Sequence, residues 1–390
     1  MIYGDHQDNT LAQFKTCQET GPVVASALLA DGHLGYAMPI GGVIAYDGAI
    51  SPSGVGFDIG CGVRAESTPL AYGDIRADLP MLADRIYSEV AFGLGRRAAT
   101  RVAHEVMDDP LWDVVDSEVR GLRDLAANQL GTVGSGNHYV DIVVESDEVG
   151  AFDDASPVWI VTHFGSRGLG HKIATRYLDL AGGRDGMMVP PAIITEGTPL
   201  FDAYLPAMEL AGNYARAGRL SVVRQVREIL GAGPTSGAVV ENHHNFAWKE
   251  NDAWVVRKGA TPAHDGQQGY VGGSMCDLGA IVVGAGATET VSSTVHGAGR
   301  VMGRAQAIGK VDRKTGEVKR AGLVSPEMME GAIANFGTVL RGGGVDESPF
   351  VYRPLSGVIA AMGDTVRVSQ WLRPIMVCMA GKDVRDPYKD

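Results

Sequence analysis

The sequence lacks several features that would assign it quickly. It has no apolar run long enough to cross a bilayer, which takes about 20 residues. Its opening MIYGDHQDNT has neither a basic stretch nor an apolar one, so no secretory leader is expected. The four cysteines, Cys17, Cys61, Cys276 and Cys378, are too scattered for a disulfide framework. Their spacing fits no zinc finger, which needs paired Cys or His at both ends. There is no Walker A sequence, and no Gly-x-Gly-x-x-Gly after a strand with its acidic partner. Positive charge is also scarce: 34 Lys and Arg against 46 Asp and Glu leave a formal net charge of −12. Nucleic-acid binders draw much of their affinity from Lys and Arg. A broad nucleic-acid face is therefore not expected, whereas a local basic pocket stays compatible. These absences leave a soluble, cytoplasmic protein with no membrane partner as the expectation.

What is present is glycine. The 390 residues include 53 glycines and are 45% hydrophobic, enough apolar content for a sizeable core. The glycines are neither periodic, as in collagen, nor gathered in a linker, so they mark tight turns. There is no repeat and no low-complexity tract. Gly-rich motifs recur from residue 31 to residue 300, and if they share one site the chain is a single domain over 1–390.

Residues 22–50 alternate apolar runs with Gly-rich turns and read as strands. From 74 to 130 apolar residues fall at helical spacing, as in Leu79, Leu82, Ile86 and Val90. A second helical pattern runs from Pro110 to Leu130. The run Pro157 to Val161 is β-like, and Leu200 to Leu230 reads as a long helix. Residues 305–345 read as helix and loop, and Val358 to Gly381 as strands. The class is α/β, with amphipathic helices covering a sheet.

The chemistry gathers in the turns. Gly54 to Arg64 places Asp58 and Cys61 three residues apart, with glycine on both sides of the thiol. Most of the ten histidines lie in similar glycine settings, among them His33, His138, His163, His171, His243, His244 and His296. Asp, Cys and imidazole together suit borderline transition metals; Cys61 taken alone reads rather as a small buried hydrophobe. His296 is followed by Gly-Ala-Gly-Arg, so the imidazole is open to a bulky reactant, and Arg300 could clamp a phosphate bidentately. That setting suits a histidine nucleophile for a phosphoryl-type group; a satisfied turn histidine is the other reading. Arg257, Lys258 and Lys382 beside glycines are either phosphate ligands or ordinary charges.

These motifs resemble the RtcB family of RNA ligases. The matching stretches are Asp31 to Tyr36 with Pro39 to Gly42, Ser51 to Arg64, Gly136 to His138, His163 to His171, His244-Asn245, Arg257 to Thr261, Gly273 to Met275, and His296 to Arg300. They occur in family order across most of the chain. The resemblance implies a single α/β domain with a β-sandwich-like core and helices around it. It implies two Mn²⁺ ions held by Asp58, Cys61, His138, His163 and His244, with Cys61 bridging. It implies that His296, oriented by Asp31, takes GMP from GTP. Asn137 and Arg300 would contact GMP phosphates, and Lys382 the guanine. Tyr352, Ser274 and Asp141 are further candidates in that pocket, and Arg167 and Lys258 would meet substrate phosphate. The implied partner is RNA with a 3′-phosphate or 2′,3′-cyclic phosphate end and a 5′-hydroxyl end.

The chain departs from the family pattern in places. Asp141 stands where Glu is usual, shortening the reach to a guanine. Tyr36-Ala37-Met38-Pro39 replaces a Gly-Phe before proline, and Gly134-Ser135-Gly136 replaces a glycine triplet. The chain is short for the family, and its acidity suits a specialised branch for RNA repair rather than tRNA splicing. The competing readings are a metal-dependent phosphoesterase that opens cyclic phosphates without ligating, and a non-catalytic RNA-end-binding factor.

Overall fold

A computed structural model describes residues 1–234, 237–311 and 318–381; Lys382 lies outside them. Two sheets position everything that follows. The smaller is antiparallel: β1 (Val23–His33), β2 (Ile40–Asp47), β8 (Ala253–Lys258) and β7 (Asn245–Glu250), in that order. The larger runs β6 (Val239–His243), β3 (Gly62–Ala71), β5 (Pro157–Phe164), β4 (Tyr139–Ser146), β12 (Val366–Gly381), β10 (Gly279–Gly284), β9 (Gln268–Val271). Beyond β10, the second half of β12 carries the parallel strand β11 (Val339–Gly343). The two ends of this sheet meet through one side chain. Asn242 on β6 donates to the Gln268 carbonyl at 3.1 Å and accepts from Tyr270 N at 3.2 Å on β9. The sheet core is thus nearly closed, which removes exposed edges.

The two-residue side-chain period of a strand explains why β4 and β5 read as continuous apolar runs. On β5, Val158, Ile160 and Phe164 pack outward with Val222, Val223 and Val226 of a helix. Trp159 and Val161 pack inward with Val63, Val143, Tyr270 and Leu372. His163 shares the inward parity of Trp159 and Val161, and Cys61 that of Val63 and Ala65. The alternation that builds the core therefore delivers both residues to the inside of the sheet.

The outer helix is Pro199–Leu230. Thr198 caps it by accepting from Phe201 N at 3.3 Å, Pro199 opens it, and Gly231 ends it in the left-handed region at φ 69°. The sequence places this helix correctly, and the helix at Leu79–Glu89 buries Leu79, Leu82 and Ile86 as their spacing requires.

Three local expectations change. Pro110 to Leu130 is three short helices, Leu111–Val114, Ser117–Arg120 and Arg123–Gln129. Asp116 interrupts them, because its carboxylate caps Glu118 N and Val119 N at 2.9 and 3.1 Å and restarts the helix. Val358 begins no strand: Leu355–Ala361 is a helix, and β12 starts at Val366. Leu355, Val358, Ile359 and Met362 are spaced for one helical face, and all are buried. The 305–345 stretch contains strands as well as helix, including β11 and the pair Gly309–Val311 and Val318–Ala321.

Candidate active site

The Gly-rich turns converge on one cleft of about 990 Å³, the upper end of the usual range for ligand pockets. Asp58, Cys61, Asn137, His138, Asp141, His163, Arg167, His244, Lys258, Ser274, His296, Arg300 and Tyr352 all line it. Asp31 lies behind the wall, wholly buried against His296.

Two groups of donor atoms share Cys61. In one, Cys61, His163 and His244 bring Sγ and ring nitrogens within 4.8 Å of one another; in the other, Asp58, Cys61 and His138 do the same. Cys61 Sγ stands 3.5 Å from His163 Nε2 and 3.7 Å from His138 Nε2. His163 Nε2 is also 3.2 Å from His244 Nε2. The tautomer of His163 follows from its far side, where Nδ1 donates to the Asn137 carbonyl at 3.1 Å. Nε2 is then a lone pair, aimed at another nitrogen and a sulfur. Asp58 Oδ2 approaches His138 Nε2 at 3.1 Å, yet it has no aligned hydrogen bond among the described residues. Crowded, under-satisfied acceptors are costly in a buried site. A divalent cation in each group would remove that cost, so these donors fit metal.

The proton affinities point the same way. Burial first, then the neighbouring His138 and His296 charges, drives the His163 imidazole well below its usual range. Burial does the same to His244, helped by His296, His163 and Arg219. Both rings are therefore neutral ligand types at ordinary pH. Burial alone would raise Asp58, but the close approach and charge of the His138 ring, the Arg167 charge and the Cys61 thiol outweigh it and hold the carboxyl at about 2. Burial and the Asp58 charge push the Cys61 thiol well up; a bound cation is what reverses that preference in a ligating thiol.

Beside the Cys61–His163–His244 group, the His296 ring lies 4.8 Å from the His244 ring, centroid to centroid. Its Nδ1 meets Asp31 Oδ2 at 2.7 Å, and the same oxygen accepts from the backbone N–H groups of His296 at 3.0 Å and Gly297 at 3.4 Å. This leaves Nε2 as the ring nitrogen for a reactant. Glycine makes the arrangement possible. At Gly259 (φ 57°) a Cβ would stand 2.3 Å from Ile40 Cγ2 and 3.1 Å from His296 Cε1. At Gly299 (φ 70°) it would stand 2.3 Å from the Asp31 carbonyl oxygen.

The remaining candidates differ in how committed they are. Each guanidinium nitrogen of Arg300 has a protein partner: Nε the Met302 carbonyl at 3.2 Å, Nη1 the Tyr352 hydroxyl at 3.3 Å, Nη2 the Asp346 carbonyl at 2.8 Å. These three bonds use three of its five N–H donors and fix the plane of the guanidinium, so a phosphate would be met by the second N–H of Nη1 or Nη2. Tyr352 lies under the Arg300 guanidinium at 5.2 Å and donates to Glu347. Lys258 Nζ donates to the carbonyls of Tyr36 and Ser53, joining two walls of the cleft. Ser274 Oγ accepts from Cys276 N at 3.4 Å. Burial raises the Asp141 carboxyl well above its usual range, and its Oδ1 has no hydrogen bond among the described residues. Arg167 sits at φ 55°, its guanidinium pressed on Gly134, where a Cβ would meet Nη1 at 2.2 Å.

Sequence reasoning passed over Asn245, next to His244 in the same motif. Its Oδ1 accepts from Gly259 N at 2.7 Å and its Nδ2 reaches the Asp58 carbonyl at 3.4 Å, so it links the His296 wall to the Asp58 turn. It also passed over Asp346 and Glu347, which hold Arg300 and Arg304. The acidic pair follows a glycine run, but nothing in its spacing marked it.

The family model described as tRNA-splicing ligase RtcB matches residues 13–380. The chain is 34% identical over 387 residues to RNA-splicing ligase RtcB1 of Escherichia coli, covering 91% of this chain and 90% of that one. It is 32% identical over 399 residues to tRNA-splicing ligase RtcB of Thermococcus kodakarensis, covering 81% and 82%. It is 32% identical over 416 residues to RNA-splicing ligase RtcB of Mycobacterium tuberculosis, covering 87% and 93%. With a match spanning nearly its whole length, the chain belongs to the RtcB ligase family.

Proposed function

We propose that this protein is a single-domain RNA ligase that uses Mn²⁺ and GTP to join an RNA 3′-phosphate or 2′,3′-cyclic phosphate end to a 5′-hydroxyl end. The observation that carries the reading is the Asp31–His296 pair set against two donor groups that share Cys61. Asp58, Cys61 and His138 would hold one ion, and Cys61, His163 and His244 the other. When bound, the ions would offset triphosphate charge and polarise the reacting phosphorus.

The residues of the chain do the rest. Asp31 holds the Nδ1 proton, which leaves the Nε2 lone pair for attack. His296 Nε2 bonds to the α-phosphorus of GTP as the bond to the β-phosphate oxygen breaks and pyrophosphate leaves. Asp31 offsets the positive charge that develops on the ring. An oxygen of the RNA 3′-phosphate then attacks the same phosphorus, breaking the P–N bond and freeing His296. Finally the 5′-hydroxyl oxygen attacks the RNA phosphorus, loses its proton and displaces GMP. A cyclic end is first opened by water to the 3′-phosphate.

Asn137, whose backbone carbonyl orients His163, would contact the GMP phosphates with its side chain. Ser274, Asp141 and Tyr352, which line the cleft, would meet the guanine, and the family resemblance implies the same role for Lys382. Arg167 and Lys258 would face the RNA phosphate. The test is incubation with GTP labelled at the α-phosphate, Mn²⁺ and a 3′-phosphate/5′-hydroxyl RNA pair. Wild type forms an acid-labile protein adduct and a joined RNA, and His296→Ala forms neither. Joining without an adduct, or an adduct on His296→Ala, contradicts the mechanism. Opening of cyclic ends without joining points instead to a phosphoesterase.

A further inference from the structure

Arg219 lies in the long Pro199–Leu230 helix, is 0% exposed, and does not line the cleft. Its contacts are nonetheless organised around the cleft. Nη1 donates to the Gly60 carbonyl at 3.0 Å and to the Phe164 carbonyl at 2.9 Å. Nη2 lies 3.2 Å from His243 Nδ1, which is itself 2.9 Å from the Gly60 carbonyl. Nε donates to Glu241 at 3.2 Å, a carboxylate that also accepts from Arg64 at 2.9 Å. Each of the first three partners is a chain neighbour of a donor residue. Gly60 precedes Cys61, Phe164 follows His163, and His243 precedes His244.

The sheet explains why one side chain reaches all three. β6, β3 and β5 are adjacent, and their ends are in register: His243 opposite Gly62, and Gly62 opposite Phe164. The helix can approach because Gly60 (φ 71°) has no side chain; a Cβ there would stand 3.1 Å from Gly212 Cα and from Ala215 Cβ. A buried arginine is an expensive way to anchor a helix that already buries Ala215, Val222, Val223 and Val226, since a well-packed apolar residue often serves stability as well or better. What an apolar residue cannot do is hold several carbonyls at fixed angles, as a planar guanidinium fork does.

We propose that Arg219 is a positioning residue for the metal-ligand set: its single guanidinium fixes the three strand ends that present Cys61, His163 and His244. The proposal rests on the reading of these residues as metal ligands. Removing partners that orient ligands typically lowers metal affinity about 10- to 100-fold. Arg219→Lys keeps the charge but offers a point donor in place of the fork, so it falls in that range too.

The experiment titrates Mn²⁺ into apo protein by calorimetry, and Co²⁺ by absorbance to read the thiolate-to-cobalt charge-transfer band. It compares wild type, Arg219→Lys, Arg219→Met and Arg257→Lys. Arg257 is equally buried but pairs with Glu250 and Ser293, so it controls for loss of any interior arginine. The expected result is weaker Mn²⁺ binding and a shifted or diminished band in both Arg219 variants, with Arg257→Lys like wild type. Unchanged affinity and band in the Arg219 variants overturn the proposal, as does an equal loss in Arg257→Lys. If both Arg219 variants lose the circular-dichroism spectrum of the fold, Glu241→Gln carries the test. It leaves the arginine in place but loosens its Nε anchor, so its band must shift; an unchanged band overturns the proposal. A wild type that binds neither metal removes the metal-centre reading and this proposal with it.

Discussion

Asp31→Asn is the sharpest single perturbation of the proposed nucleophile. Asp31 Oδ2 accepts three N–H groups, from the His296 ring and from the backbones of His296 and Gly297. Asparagine must present its oxygen to them, because an amide N–H₂ would meet only donors. The ring geometry is therefore kept while the negative charge is lost. As Nε2 attacks phosphorus the ring becomes cationic, with charge centres about 4 Å apart. At an effective dielectric of about 20 that attraction is about 4 kcal/mol, or about three orders of magnitude in rate. Guanylylation by Asp31→Asn should fall about 10³-fold. The amide nitrogen takes the place of Oδ1, which has no hydrogen bond among the described residues, so an unmatched donor should cost about 1–3 kcal/mol of stability. The assay is the single-turnover rate of adduct formation from α-labelled GTP, with a thermal melt to confirm folding. A rate within about 10-fold of wild type refutes the assignment of Asp31.

Other changes separate the parts of the site. Gly259→Ala places a methyl against Ile40 and His296 at a left-handed φ; displacing a nucleophile by about 1 Å typically costs about 10²-fold. Adduct formation should drop by that order while calorimetric Mn²⁺ stoichiometry stays at wild type, and an unchanged rate would remove Gly259 from the account. His244→Ala should leave one Mn²⁺ per chain and Cys61→Ala neither bound tightly, since only Cys61 belongs to both groups; equal stoichiometry in the two variants contradicts the shared thiolate. Acid should destabilise the metal-free protein through His33, whose imidazole burial lowers to about 4. The unfolded chain takes the proton near pH 6.5 and the folded chain does not. Stability is therefore complete above about 6.5 and lost as pH falls toward 4, by roughly 3 kcal/mol at most. Denaturant melts over that window should show a shallower loss in His33→Gln, and parallel curves would show that His33 does not carry the loss.

Much of the site was legible because the residues that bear chemistry sit in glycine turns, where a sequence can be read locally. Asp58 with Cys61, and His296 before Gly-Ala-Gly-Arg, stood out in this way. Strand parity could have gone further: the run from Trp159 through Val161 to His163 already places the imidazole on the inner face. Partnership was not legible in any local pattern, and the pairing of Asp31 with His296 came only from the family resemblance. Asp31 and His296 are 265 residues apart, and only the pairing of sheets brings them to 2.7 Å. Nor does any local pattern show that Arg300 is held by Asp346, or that Arg219 reaches three strand ends. The errors of fold have equally local causes. Asp116 caps a helix in the middle of an apolar pattern, and the 355–362 face has a helical period that was read as β because the stretch is apolar.

The central claim is a pair of metal sites that share one sulfur beside His296. An anomalous-scattering map from Mn²⁺-soaked crystals tests it most directly. The account predicts two peaks about 3.5–4 Å apart, flanking Cys61 Sγ, one beside His163 and His244 and the other beside Asp58 and His138. A single peak away from Cys61, or no peak in the cleft, would contradict it.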